Sequence, residues 1–164
     1  MKLSTSGLDA LISKFDKVTS TMPDTMDKAM YDAAGQVANE VKQGLQALPI
    51  QEDDSGDAPY VKDGQKLKGV TAQQKADLIN GLGIAKFRKA DGSVQTSIGF
   101  SGTGATKTKK YPGGLPNAAL MRAVESGTSF RTKTPVVRPA LNRIRKQATE
   151  TLKNKVIDEI KKEI

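Results

Sequence analysis

The sequence predicts an α+β domain, a small and mostly antiparallel sheet packed by two long helices, with long mobile loops between them. Three observations carry that expectation. Apolar residues recur at helical spacing over residues 23–48 and again over 139–164. An alternating stretch on either side of Asp91-Gly92 reads as a strand hairpin with a tight turn. Two segments, 50–70 and 101–116, are too rich in Gly, Pro and charge to bury a core of their own. At 164 residues the chain suits a single domain spanning 1–164, large enough to fold without disulfides or a structural metal.

Taken in order, Leu8, Leu11, Ile12, Phe15 and Val18 fall on one face of a short first helix that Ser6 is placed to cap. Thr19–Met22 should break it, because Pro23 fits the first turn of a second helix with Asp24 and Asp27 near its positive end. The stripe Met26, Met30, Ala33, Val37, Val41, Leu45, Leu48 runs along that second helix to Pro49, with Gly35 and Gly44 allowing a close approach to the sheet. Thr71 followed by Gln74 is a capping box, opening a short helix through Asn80. Strands follow over 81–89 and 93–100. Leu82, Ile84 and Lys86 share one face of the first, and Val94, Thr96, Ile98 and Phe100 one face of the second. Further short strands fit near 60–70 and 128–134. The last stripe, Leu141, Ile144, Ala148, Leu152, Val156, Ile160 and Ile164, lacks a sustained heptad and is expected to pack on the domain's own sheet.

Composition narrows the function. The chain has neither His nor Cys, which removes imidazole base chemistry, thiol nucleophiles and most zinc sites and argues against an enzyme. Asp53, Asp54, Asp57 and Asp63 do not follow the spacing of a calcium loop. Gly102, Gly104, Lys107 and Thr108 do not form a phosphate loop, since Thr106 precedes the Lys and Pro112 follows where a helix should start. No catalytic, cofactor or metal residues are assigned, and no cofactor is expected. No apolar run approaches the length that spans a bilayer, so no membrane partner is expected, and the protein should be made in the cytoplasm. Net charge is uneven: residues 1–100 carry −1 and residues 101–164 carry +9. A basic half beside a near-neutral half suits nucleic acid or an acidic neighbour.

The most informative stretch is 124–141, VESGTSFRTKTPVVRPAL. A helix over Ala118–Glu125 should stop at Gly127, an extended connector should follow, and Pro135 and Pro139 should mark the entry to the last helix. These residues resemble the tail-completion, or neck, proteins that join head to tail in long-tailed bacteriophages. The resemblance rests on Glu125, Gly127, Thr128 and Ser129, then on Pro135, Val136, Val137, Arg138, Pro139 and Ala140 before a long helix. Val136 stands where that family more usually has an aromatic. Lys75-Ala76-Asp77-Leu78 resembles a second family segment ahead of a strand, with Ala76 in place of Gly.

The resemblance implies a non-enzymatic virion protein of the head–tail junction. It implies a homo-oligomeric ring, usually of six subunits, between a head-closure or connector protein and a tail terminator or tail tube protein, with phage DNA passing through the lumen. Glu125, Gly127, Thr128, Ser129, Pro135, Arg138 and Pro139 would then be a structural joint. Read from composition, the 101–116 segment is a tongue whose Lys107, Lys109 and Lys110 are candidates to line the DNA channel. The alternative is a free-standing basic nucleic-acid-binding protein resting on the C-terminal charge.

Overall fold

The computed structural model describes residues 6–86, 88–90 and 93–163, with side chains for all of these except 6–11, 89, 90, 93, 94 and 163. The chain is α+β, in the order α1 (Ser6–Gln46), α2 (Ala72–Gly81), β1 (Leu82–Ile84), β2 (Arg88–Ala90), β3 (Ser93–Gln95), β4 (Ile98–Phe100), α3 (Asn117–Ser126) and α4 (Val137–Glu163).

The first expectation to fail is the break at Thr19–Met22. One helix of 41 residues runs through it with Pro23 inside, a length of about 60 Å at 1.5 Å per residue. Pro23 cannot donate to the preceding turn, but the hydroxyls just ahead of it bond back along the helix. Thr19 Oγ1 donates to Phe15 O at 2.8 Å, Ser20 Oγ to Lys17 O at 2.8 Å and Thr21 Oγ1 to Lys17 O at 3.0 Å. Residues read as breakers are thus absorbed as helical back-bonders. Ser6 and Leu8 to Leu11 have no described side chains, so the capping and stripe expected there lie outside what is described.

The second correction concerns α4. It packs on α1 as an antiparallel partner and makes no comparable contact with the strands. Arg143 meets Glu40, Thr151 meets Gln36 and Lys155 pairs with Asp32, so the register runs oppositely along the two helices. Small residues at the seam, Ala29, Ala33 and Ala34 on one side and Ala140 and Ala148 on the other, are buried and let the backbones approach. Gly44 serves the same approach, but toward Val136 rather than the sheet, while Gly35 faces open space. Ile144, Leu152, Val156 and Ile160 of the α4 stripe are half-buried and Leu141 is exposed, while Ile164 lies outside the described residues.

The strands form one interrupted antiparallel hairpin in place of two continuous strands. Leu82 pairs with Phe100 and Ile84 with Ile98; further out, Arg88 pairs with Gln95 and Ala90 with Ser93. Three residues separate β1 from β2 and two separate β3 from β4, so the register slips by one in the manner of a bulge. Ala85 N still donates to Ser97 O at 2.7 Å across the gap. Lys86 is exposed and does not continue the half-buried Leu82 and Ile84 face. The Asp91-Gly92 turn and the side chain of Val94 lie outside the described residues. Near 60–70 and 128–134 the expected strands reduce to isolated bridges, Ile50 with Val70 and Leu67 with Arg131.

The core sits where the last turns of α1 meet α2, α3 and the start of α4. Leu45, Leu78, Val41, Val70 and Val124 are its largest fully buried side chains, and Leu82 and Phe100 close it from the hairpin. Thr71 caps α2 as the spacing predicts, accepting from Gln74 N while Gln74 reaches back to the cap.

Candidate functional site

The joint is built around Glu125 in the last turn of α3. Its Oε2 accepts the amides of Val136 and Val137 at 2.7 and 2.9 Å, and its Oε1 accepts that of Arg138 at 3.0 Å. These are the free donors that open α4; Pro139 has none to offer, and Ala140 N already reaches Val136 O at 3.2 Å. One carboxylate from a different helix therefore satisfies the N-terminal amides and sits at the positive end of the α4 dipole. Burial is the largest influence on its pKa and raises it, but the three amides and the Arg138 charge together hold the carboxyl below the usual glutamate value.

Gly127 ends α3 at φ 76°, where a side chain is strained. A Cβ there would stand 3.0 Å from Lys133 N and 3.2 Å from Arg131 O. The connector then turns tightly. Thr128 N donates to Arg131 O at 2.9 Å and Arg131 N to Thr128 Oγ1 at 3.0 Å. It is pinned on one side by Leu67, whose N–H donates to Phe130 O and whose C=O accepts from Thr132, and on the other by Thr134 donating to Val124 O. Ser129 and Pro135 are exposed, Arg138 is exposed, and Pro139 is half-buried in the first turn of α4.

The two long loops have more internal structure than their composition suggests. In 101–116, Thr108 and Tyr111 exchange both backbone hydrogen bonds at 3.1 and 3.0 Å, so Lys109 and Lys110 form the tip of a two-residue turn. Below the tip, Leu115 N donates to Thr106 O and Gly104 N to Leu115 O. At the base, Asp77 accepts Ala105 N at 3.0 Å and Asn117 Nδ2 donates to Ser101 O at 2.8 Å. In 50–70, Asp53 closes a turn by accepting from Ser55 N, Ser55 Oγ and Asp57 N. The Ser55 hydroxyl leads the causes that lower its pKa.

The tongue, the 56–58 turn, α3 and the connector enclose a cleft of about 730 Å³. Leu67, Leu115, Leu120 and Phe130 give it an apolar floor, and Lys107, Lys110 and Arg131 make it basic. The three lysines of the tongue therefore separate: Lys107 and Lys110 line the cleft, with Lys110 Nζ 5.4 Å from the Tyr111 ring centre, and Lys109 stands outside the lining. Arg131 is only 5% exposed. Its Nη1 donates to Gly69 O and its Nη2 to Gln74 Oε1 at 3.3 Å, both neutral acceptors, and its Nε has no partner. Burial lowers its pKa.

Sequence reasoning singled out Glu125 and Gly127 but not Arg131, Asp77 or Asn117. Within Ser-Phe-Arg-Thr-Lys, Arg131 looks like any solvated cation. No local signal marks Arg131, because alternation would turn Phe130 inward and the arginine outward, whereas Phe130 is exposed and Arg131 is buried.

Among the described residues no helix is long and apolar enough to cross a membrane, and no group of three or more acidic side chains is disposed to hold a metal ion. No family model, no curated protein and no solved structure matches this chain.

Proposed function

We propose that the chain is a non-enzymatic structural protein of the virion, one subunit of a ring at the head–tail junction of a long-tailed bacteriophage. In that reading it completes or joins the tail and lets DNA pass through the ring. It would contact a head-closure or connector protein on one side and a tail terminator or tube protein on the other. The observation that carries the reading is the joint: Glu125 gathers three amides of Val136–Arg138, and Gly127 turns the chain at positive φ. The residues that resemble the neck family thus surround the angle between α3 and α4, and none of them lines the basic cleft. A device of this kind suits a subunit whose work is to hold a shape. The absence of His and Cys from the sequence points the same way.

The competing reading, a free nucleic-acid-binding protein, draws on the +9 carried by residues 101–164. Part of that charge is spent within the fold, since Arg143 and Lys155 pair with Glu40 and Asp32 of α1. Two measurements on the purified chain separate the readings. Sedimentation velocity and electron microscopy should find closed rings. Duplex DNA should bind weakly at physiological salt. A monomer that binds duplex tightly, with a steep loss of affinity as salt rises, would replace this reading with the other.

A further inference from the structure

The basic cleft carries charge that its own chain does not answer. Lys107, Lys110 and Arg131 line it against one acidic side chain, Asp57, and none of the ion pairs between described residues involves any of the four. Arg131 is the most demanding of these cations. It is 5% exposed, its guanidinium is met by the carbonyl of Gly69 and the amide oxygen of Gln74, and its Nε has no partner. A buried guanidinium among neutral acceptors keeps much of the cost of leaving water, so an anion brought into the cleft is favoured by the same low-dielectric surroundings that isolate the cation.

The tongue adds main-chain groups to this charge. Thr106 O accepts from Leu115 N, and Thr108 N donates to Tyr111 O, so both point across the tongue to its other arm. In a trans peptide the carbonyl and the amide point opposite ways. The amide of Lys107 shares a peptide with Thr106 O and its carbonyl shares one with Thr108 N, so both are turned outward, and neither has a partner among the described residues. An edge residue with both groups free is a template for one more extended strand. Beside it Leu67, Leu115 and Leu120, with Phe130 53% exposed, give apolar seats for the side chains of such a strand.

We propose that the cleft is a docking site for an extended segment of a partner polypeptide in which a carboxylate side chain neighbours an apolar one. Lys107 exchanges main-chain hydrogen bonds with the segment, the apolar side chain takes the floor, and the carboxylate meets Lys107 and Lys110 above the buried Arg131. A nucleic acid fits less well. Lys110 Nζ stands 5.4 Å from the Tyr111 ring centre, so one face on which a base would stack is taken. A run of phosphates would also meet Asp57 and the acidic residues Glu52, Asp53 and Asp54 ahead of it in the chain. A small anion would answer the charge and leave the edge and the floor unused. The proposal goes beyond the ring reading and stands or falls without it.

The test is a random hexapeptide display library panned on the immobilised full chain, with Lys107→Ser plus Lys110→Ser as the control surface. Both lysines are exposed, so the variant should keep the fold. The pool held by the wild type should be enriched several-fold in peptides with Asp or Glu beside Leu, Ile or Phe, and the variant should lose most of that bias. The leading peptide, resynthesised and followed by fluorescence anisotropy, should bind the variant several-fold more weakly and should weaken likewise when Gln replaces its acid. N-methylation at alternate residues should abolish binding in one phase and spare it in the other, as strand addition requires. A pool without acidic-apolar bias, equal binding to wild type and variant, equal binding of the acid and Gln peptides, or indifference to N-methylation would each overturn the proposal. A labelled oligothymidylate is the counter-probe. If it binds the wild type at physiological salt and loses that binding in the double variant, the cleft is a nucleic-acid groove and the proposal falls. The ring reading is decided separately, by sedimentation.

Discussion

Gly44 of α1 lies so close to Val136 that a Cβ on the glycine would stand 2.7 Å from Val136 Cγ1. This contact locks the approach of α4 to the end of α1, and it gives opposed expectations for one substitution. Alanine in place of a mid-helix glycine gains up to about 1 kcal/mol of helix propensity. Here the added methyl must displace a buried side chain, which costs about 1–3 kcal/mol. Gly44→Ala should therefore lower the stability measured by urea unfolding, and Gly44→Ala with Val136→Ala should recover part of the loss relative to Val136→Ala alone. Additive single and double variants would mean that the two residues do not press on each other.

Glu125 supplies a pH-dependent part of the stability. Its carboxyl is held below the usual value, despite burial that pushes it up, by the amides of Val136, Arg138 and Val137 and the charge of Arg138. A group depressed in the folded state contributes fully above its unfolded value, about 4.3 for glutamate, and loses that contribution as pH falls through the lower folded value. The wild type should thus exceed Glu125→Gln in stability at neutral pH, with the gap closing below about pH 4.3. Glu125→Ala should cost about 2 kcal/mol at pH 7, since it strips three amides of a charged acceptor. Equal pH profiles for wild type and Gln variant would dismiss the carboxylate as the source.

At the connector, Gly127→Val places a β-branched residue at φ 76° with backbone atoms 3.0–3.2 Å from its Cβ. The expected loss is about 3 kcal/mol from strain and contact together. With ψ at 170° the residue lies in the region that essentially only glycine occupies, so Gly127→Ala should lose much of the same stability without the β-branch. If Gly127→Ala is as stable as the wild type, positive φ is not what position 127 requires.

Much of this architecture was legible because it is written in local chemistry. Thr71 and Gln74 cap α2, Gly127 stops α3, and alternation around 82–100 marks the hairpin. What was not legible depends on partners distant in sequence. Pro23 reads as a start signal in isolation, and it is the packing of α4 along α1, reaching Thr21, Met22 and Thr25 on either side of the proline, that favours one continuous helix. The one-residue slip between the two strand pairs leaves no trace in an alternating pattern. In the joint, Pro135 and Pro139 signalled a helix entry, but the buried setting of Arg131 depends on Gly69 and Gln74, some sixty residues upstream.

The tongue gives the last prediction, which turns on its three lysines not being equivalent. Lys109 and Lys110 occupy the tip of the turn between Thr108 and Tyr111, but Lys110 lies over the Tyr111 ring and, with Lys107, lines the cleft. Lys109 is exposed and outside that lining. In the proposed ring, Lys109 is therefore the residue left to meet DNA phosphate, with a contact weak enough for the duplex to slide past and readily replaced by counterions. The tongue is held in place by Asp77, since a Cβ at Gly104 would stand 2.5 Å from its Oδ2, and by the bond from Ala105 N to the same oxygen. Lys109→Ser should leave folding and ring formation unchanged and alter DNA retention in assembled particles. Lys107→Ser with Lys110→Ser, which strips the cleft and leaves the tip cation in place, should alter that retention less. Gly104→Ala, which forces Asp77 aside and loosens the base of the loop, should disturb both the tip and the cleft. Sedimentation of the free protein together with DNA release from particles checks all three, and a Lys109→Ser variant that behaves like the Lys107 and Lys110 pair would return the tongue to a single undivided surface.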